Sequence, residues 1–230
     1  MALDSFATFK TSIANWLDRT DLTTRIPDFI TLAEVRIGRD LRVREMETRS
    51  QMSTVQDQGY YGLPQGFLQA RSLKVITGSL DYDMEYRTPE SMDLLNTNRF
   101  AGGTNIPRYY TVVADELRVL AKPAGIYTIE VVYYKKPDAL STTQTSNRVF
   151  ENYPDVYLYA TLLEAATYLR DIEGAQGWGL LYGKAIEASQ TAANLITGAM
   201  KTKMEQVRKG ILSGKIQVRD CMSDNKCPVP

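Results

Sequence analysis

Asn152–Asp171 reads NYPDVYLYATLLEAATYLRD, and this stretch decides the fold. Pro154 stands where the first turn of a helix has no use for a backbone N–H. After it, Tyr157, Leu158, Tyr159, Leu162, Leu163, Ala165, Ala166, Tyr168 and Leu169 put apolar groups on nearly every helical face. A helix that is apolar all round is enclosed by other elements. The spacing therefore predicts a central packing helix with no reaction centre inside it. That tilts the reading toward a structural or assembly protein.

Working outward, Leu3, Phe6, Phe9, Ile13, Trp16 and Leu17 form a helical stripe that Asp4 or Ser5 can cap. Past the turn at Asp18–Thr24, a second stripe runs through Ile26, Phe29, Ile30, Ala33, Ile37 and Leu41. Pro27 lies in its first turn, and Asp40 and Arg44 are spaced to pair. Two helices joined by so short a connection are antiparallel neighbours. On the other side of the opening stretch, Trp178, Leu181, Tyr182, Ala185, Ala188, Ala192, Leu195 and Ile196 mark a last helix from about Glu173. Gly174, Gly177, Gly179 and Gly183 weaken it locally.

Between these helices the texture changes. Phe67–Thr77 alternates loosely, Asp81–Arg87 is a short strand candidate, and Thr88-Pro89-Glu90 starts a short helix. Arg108–Ala114 and Glu116–Leu120 read as a hairpin, and Tyr127–Tyr134 is the clearest strand. The expected fold class is α+β, mainly α: an antiparallel helical bundle with an inserted antiparallel β subdomain and an extended C-terminal tail. The expected segments are 1–46 (first bundle helices), 47–140 (β-rich insertion), 141–198 (last bundle helices) and 199–230 (a basic arm).

Charge is balanced over the chain, with 27 Lys+Arg against 27 Asp+Glu, so no global field points to nucleic acid or membrane. Locally it is not. Residues 151–198 hold six carboxylates against two cations, net −4, and residues 199–230 hold seven cations against three carboxylates, net +4. Cys221 and Cys227 both lie in that basic arm, at a spacing that fits no zinc pattern. No basic-plus-apolar leader stands at the N-terminus and no apolar run reaches membrane-spanning length. Synthesis and assembly in the cytosol are the expectation, with no membrane partner.

The chain has no histidine, which removes the commonest general base, the commonest metal ligand and the usual catalytic triad. Gly183-Lys184 has Trp178 and Ala185 where a phosphate loop needs Gly and Ser or Thr. Asp81, Asp83 and Glu85 alternate on one strand candidate, hence on one face, and could bind a cation or do acid–base work. The plainer reading is a solvated strand face. Tyr109-Tyr110 beside Arg108, and Tyr133-Tyr134 beside Lys135-Lys136, offer rings next to cations. Packing or a protein interface is the simpler use of strand tyrosines. The sequence thus predicts no catalytic residue, no cofactor and no metal.

Three blocks together resemble the head-to-tail adaptor (connector) proteins of tailed bacteriophages: DLTTRIPDFITLAEVRIGRDLR at Asp21–Arg42, IPRYYTVVADELRVL at Ile106–Leu120, and Tyr127–Asp171 with YTIEVVYYKKPDAL and the opening stretch. They are packing and turn patterns, and their order carries the resemblance, which covers roughly residues 4–195. Such adaptors are similar to the tail tubular protein A of short-tailed phages. The resemblance implies a non-enzymatic virion protein of the neck or tail. It implies a ring, about a dozen copies strong, that joins the portal protein to the next tail or nozzle protein. Genomic DNA would pass through its channel without specific binding. The basic arm lies outside the resemblance. Met204, Val207, Ile211 and Leu212 are spaced for a short amphipathic helix there. With Lys201, Lys203, Arg208, Lys209, Lys215 and Arg219 they are expected to bind the portal or a neighbouring subunit. The rival readings are a tail-associated cell-wall hydrolase using paired carboxylates, such as Glu164 or the Asp81/Asp83/Glu85 set, and a nucleic-acid-binding module using the arm.

Overall fold

The computed structural model describes residues 3–78, 80–99 and 106–191, with only the backbone given at 96–99. The chain divides into two units, residues 1–186 and 187–230. Within the first, α1 (Phe6–Leu17) starts where Ser5 accepts from the Thr8 N–H while Thr8 accepts from the Ser5 N–H, a reciprocal cap. α2 (Ile26–Asp40) carries Pro27 in its first turn and ends at Leu41, where the Arg42 guanidinium donates to the carbonyls of Gly38 and Leu41. The helix stops before Arg44, so the expected Asp40–Arg44 pairing across one turn does not form. Asp40 instead accepts from the Tyr182 hydroxyl at 3.0 Å.

Among the described residues eight strands follow: β1 (Glu47–Ser53), β2 (Tyr60–Gly62), β3 (Phe67–Thr77), β4 (Leu80–Asp83), β5 (Glu85–Tyr86), β6 (Tyr109–Val113), β7 (Glu116–Leu120) and β8 (Thr128–Lys135). The helix α3 (Pro89–Arg99) lies between β5 and β6 in sequence. The strands form two four-stranded sheets, in the orders β1-β8-β3-β4 and β2-β7-β6-β5. Leu73, Val75, Ile129, Val131 and Tyr133 from the first sheet pack with Tyr61, Tyr110, Leu117 and Val119 from the second. This is a sandwich with its own core. Gly78, at φ +65°, turns β3 into β4. Met84 donates its N–H to Leu73 in the first sheet, and Glu85 donates to Arg108 beside the second. One continuous segment therefore changes sheets at Met84.

The expectation of a mainly helical bundle with a β insertion is overturned. The chain is an α+β fold in which two sheets build a core separate from the helical one. The physical reason lies in the strands. Each of the eight offers only a few inward residues, and β1 is polar along most of its length, so none announces a large core by itself.

After the sandwich come α4 (Arg148–Asn152), α5 (Pro154–Leu169) and a helix over residues 172–191, named α6. Asp171 starts α6 by accepting from the Gly174 N–H at 3.0 Å, and its carboxylate occupies the space that a Cβ on Gly174 would need. The helical core joins Phe9, Ile13, Ile30, Ile37, Phe150, Tyr157 and Leu162, among others. Phe9, Phe150 and Tyr157 meet edge to face at centroid distances of 5.0, 5.2 and 6.4 Å, tying α1 to α4 and α5.

α5 is not enclosed on every side. Its Leu162 is wholly buried, but Tyr168 is 56% exposed. Trp16, expected in the core, is 50% exposed and meets Trp178 edge on at 5.8 Å. In α6 the buried face runs through Tyr182 and Ala185, while Leu181 and Ala188 from the expected stripe are exposed. Ala192, Leu195 and Ile196 lie outside the described residues.

Two substitutions separate these environments. Leu162→Asp places an unpaired charge at a fully buried site and is expected to cost about 3 kcal/mol or more. Trp16→Ala removes a half-exposed ring and is expected to cost about 1 kcal/mol. Thermal melting of both variants checks the order.

Candidate functional site

The carboxylate set proposed from sequence does not come together. Asp81 and Asp83 lie on β4 of the first sheet, while Glu85 lies on β5 of the second and pairs with Arg87 at 2.9 Å. The period-two alternation was read on a single strand, and the change of sheet at Met84 breaks that strand. Glu164 faces α2, where the Arg36 Nε and Nη2 reach its Oε1 at 2.7 and 2.6 Å. It is a pin between α5 and α2. Among the described residues no cluster of three or more His, Cys, Asp or Glu side chains could hold a metal ion.

Tyrosines and arginines stack in pairs, two within the second sheet and one between the sheets. Arg108 lies over the Tyr82 ring at 4.1 Å, Arg87 over Tyr109 at 5.3 Å and Arg118 over Tyr60 at 5.8 Å. Arg118 also pairs with Asp93 on α3. Tyr110 and Tyr133 are buried in the second core, so neither of the adjacent-tyrosine pairs offers two free rings. The arrangement is that of packed cross-strand contacts.

At the junction of strands and helices lies a groove of about 360 Å³. Its lining sets Glu45, Glu47, Asp138 and Glu151 against Lys135, Lys136 and Arg148. Such alternation favours no ligand of a single sign; it suits a polar protein contact.

Beside it the sequence reading missed a buried polar network. Glu34 on α2 is 7% exposed, and its Oε1 accepts from the Leu140 N–H at 2.7 Å. Asn147 caps α4 by accepting from the Phe150 N–H, and its Nδ2 donates to the Asp138 carbonyl and to the Tyr157 hydroxyl oxygen. Burial pushes the Glu34 carboxyl up to about 7, opposed by the Leu140 hydrogen bond and by Lys136. Burial likewise raises the Tyr157 hydroxyl, opposed by the Asn147 bond. A lone Glu within the stripe between Ala33 and Ile37 was the only signal available.

The proposed partner residues Lys201, Lys203, Met204, Val207, Arg208, Lys209, Ile211, Leu212, Lys215 and Arg219 lie outside the described residues, as do Cys221 and Cys227.

With these surfaces carrying packing and ion pairs, comparison with known families decides the class. The family model of the SU10 adaptor protein matches residues 4–202. The chain belongs to the SU10 adaptor protein family. It is a phage adaptor, a structural protein associated with the virion that contacts other virion components. The match does not extend to a likeness with tail tubular protein A. No curated protein matches the chain. The hydrolase reading has no support, since its carboxylates are dispersed or held by arginines.

Glu34 gives a pH test of the network. Its folded carboxyl stands above its ordinary value of 4.5, so keeping it ionised costs stability. That cost is absent below pH 4.5, grows as the pH rises toward about 7, and is complete above it. Glu34→Gln retains an oxygen for the Leu140 N–H and removes the charge. It is expected to exceed the native chain in stability by about 1–3 kcal/mol above neutral pH and to lose that advantage in acid. Chemical denaturation on both sides of the window checks the sign.

Proposed function

We propose that this adaptor is a non-enzymatic ring component of the phage neck, about a dozen copies strong. It joins the portal protein to the next tail or nozzle protein, with genomic DNA passing through the channel unread. The observation that carries the reading is the adaptor family match over residues 4–202, nearly the whole of the two cores. A ring uses head-to-tail contacts that close by rotation, so each subunit needs two different lateral faces. A helical layer beside a two-sheet sandwich supplies unlike surfaces for that purpose. The acidic stretch at 151–198, net −4, suits a channel wall that does not hold DNA phosphates.

The basic arm at 199–230 is the docking element in this reading. Lys201, Lys203, Arg208, Lys209, Lys215 and Arg219 steer it to an acidic groove on the portal or a neighbouring copy. Met204, Val207, Ile211 and Leu212 seat there. A segment that orders on contact covers a large surface at the cost of its ordering entropy.

Cryo-electron microscopy of the assembled neck is expected to place this chain in a cyclic ring beneath the portal. An isolated monomer or a closed twofold dimer at that position would contradict the reading. Deleting residues 199–230 is expected to leave a subunit that melts normally and no longer joins the portal. Strong amide protection of residues 200–218 in the free monomer would show the arm packing on its own subunit instead.

A further inference from the structure

The first sheet ends in two strand edges, β1 and β4, and among the described residues nothing pairs with either. An open edge presents a row of donors and acceptors to any strand that reaches it. β1 is seven residues long, has no proline, and pairs with β8 without a register shift. Natural sheets blunt such an edge or cover it.

The hydrogen-bond pattern shows which groups face outward. The Thr54 N–H donates to Tyr127 at 2.8 Å, and the register continues through Met52↔Ile129 and Ser50↔Val131. Antiparallel bonds recur at every second residue. Thr48, Ser50 and Met52 therefore bond β8, while Glu47, Arg49, Gln51 and Ser53 turn their N–H and C=O outward. On the other edge, the Met84 N–H donates to Leu73 at 2.9 Å and Leu80 closes the turn opposite Thr77. Leu80 and Tyr82 therefore bond β3, while Asp81 and Asp83 turn outward.

We infer that β4 of one copy pairs antiparallel with β1 of the next, Asp83 opposite Arg49 and Asp81 opposite Gln51, so that the first sheet continues from subunit to subunit. The inference rests on the ring reading above and supplies its lateral contact. Three independent features agree with it. Every neighbour in the order β1-β8-β3-β4 is antiparallel, so β4 runs opposite to β1, as a continued antiparallel sheet requires. In this register each pair brings together two residues whose backbone groups both face outward. Charges also match. Arg49 reaches Glu130 of its own chain at 3.4 Å with its side chain 67% exposed, leaving it accessible to the exposed Asp83 and Asp81 of a neighbour. On the other face Leu80, 57% exposed, comes opposite Met52. Because the two edges differ, the contact is head to tail, the kind from which a ring is built.

Directly opposed Cα atoms in such a pair stand about 5.5 Å apart, within disulfide span. The full-length chain with Cys221→Ser and Cys227→Ser, carrying Arg49→Cys and Asp83→Cys together, is the test. It is to be purified alone and co-expressed with the portal protein of its phage. Mild oxidation is expected to give a ladder of covalent multimers, while each single-cysteine variant, with no thiol opposite its own, stays without a cross-link. Gln51→Pro removes an N–H that β8 does not use, so it is expected to melt like the native chain and yet lose the multimer by native mass spectrometry. Multimers that form without a cross-linked ladder overturn the edge pairing and leave the ring standing. A map of the ring with β1 met by any other segment does the same. A chain that stays monomeric with and without its portal overturns both.

Discussion

The return path from the sandwich to the helices is the constraint on which the rest depends. β8 ends at Lys135, and the chain must then cross the helical layer to reach α4. Leu140 is buried on this path, and a buried N–H without a partner costs about 1–3 kcal/mol. Glu34 meets it from α2, 106 residues away in sequence. Asn147 closes the path by binding the Asp138 carbonyl, the Tyr157 hydroxyl and the first turn of α4 at once. A carboxylate raised toward neutrality is the consequence of putting an acceptor there, and it persists because the alternative leaves backbone unsatisfied.

With the path fixed, the two cores can be built almost independently. The helical core closes around the Phe9–Phe150–Tyr157 cluster, and the strand core closes between the two sheets. The Arg36–Glu164 pair adds a directional pin between α2 and α5 where ridges alone permit sliding. Phe67 stacking on Tyr133, at 5.3 Å, fixes the end of the sandwich nearest the helices.

Much of this was legible in the sequence, and the gaps have physical causes. α1, α2 and α5 follow from apolar spacing because each sends side chains at helical intervals into one shared core. β3 and β8 were legible because β-branched and aromatic residues concentrate there. Trp16 was misread because periodicity cannot tell a buried ring from one that caps the edge of a core, as it does against Trp178. The Asp81/Asp83/Glu85 face failed because a strand that changes sheets keeps its alternation in sequence while losing it in space. Glu34 was invisible because the Leu140 N–H it serves has no signature in a one-dimensional pattern. The phage adaptor class came from the order of three packing blocks, which no one residue carries.

The parity of the first sheet bears on how an adaptor can be both a folded unit and a link. A sheet of odd strand number, antiparallel throughout, would present two edges running the same way, and its continuation into a copy would need the less stable parallel pairing. Four strands give edges of opposite direction. The outward groups on one edge are those of Asp81 and Asp83, and on the other those of Glu47, Arg49, Gln51 and Ser53. Carboxylates along one edge repel a second copy of that same edge, which disfavours the twofold pairing that would end growth at a dimer. In the proposed pairing the contact is head to tail, and it uses backbone groups that an isolated subunit leaves to water.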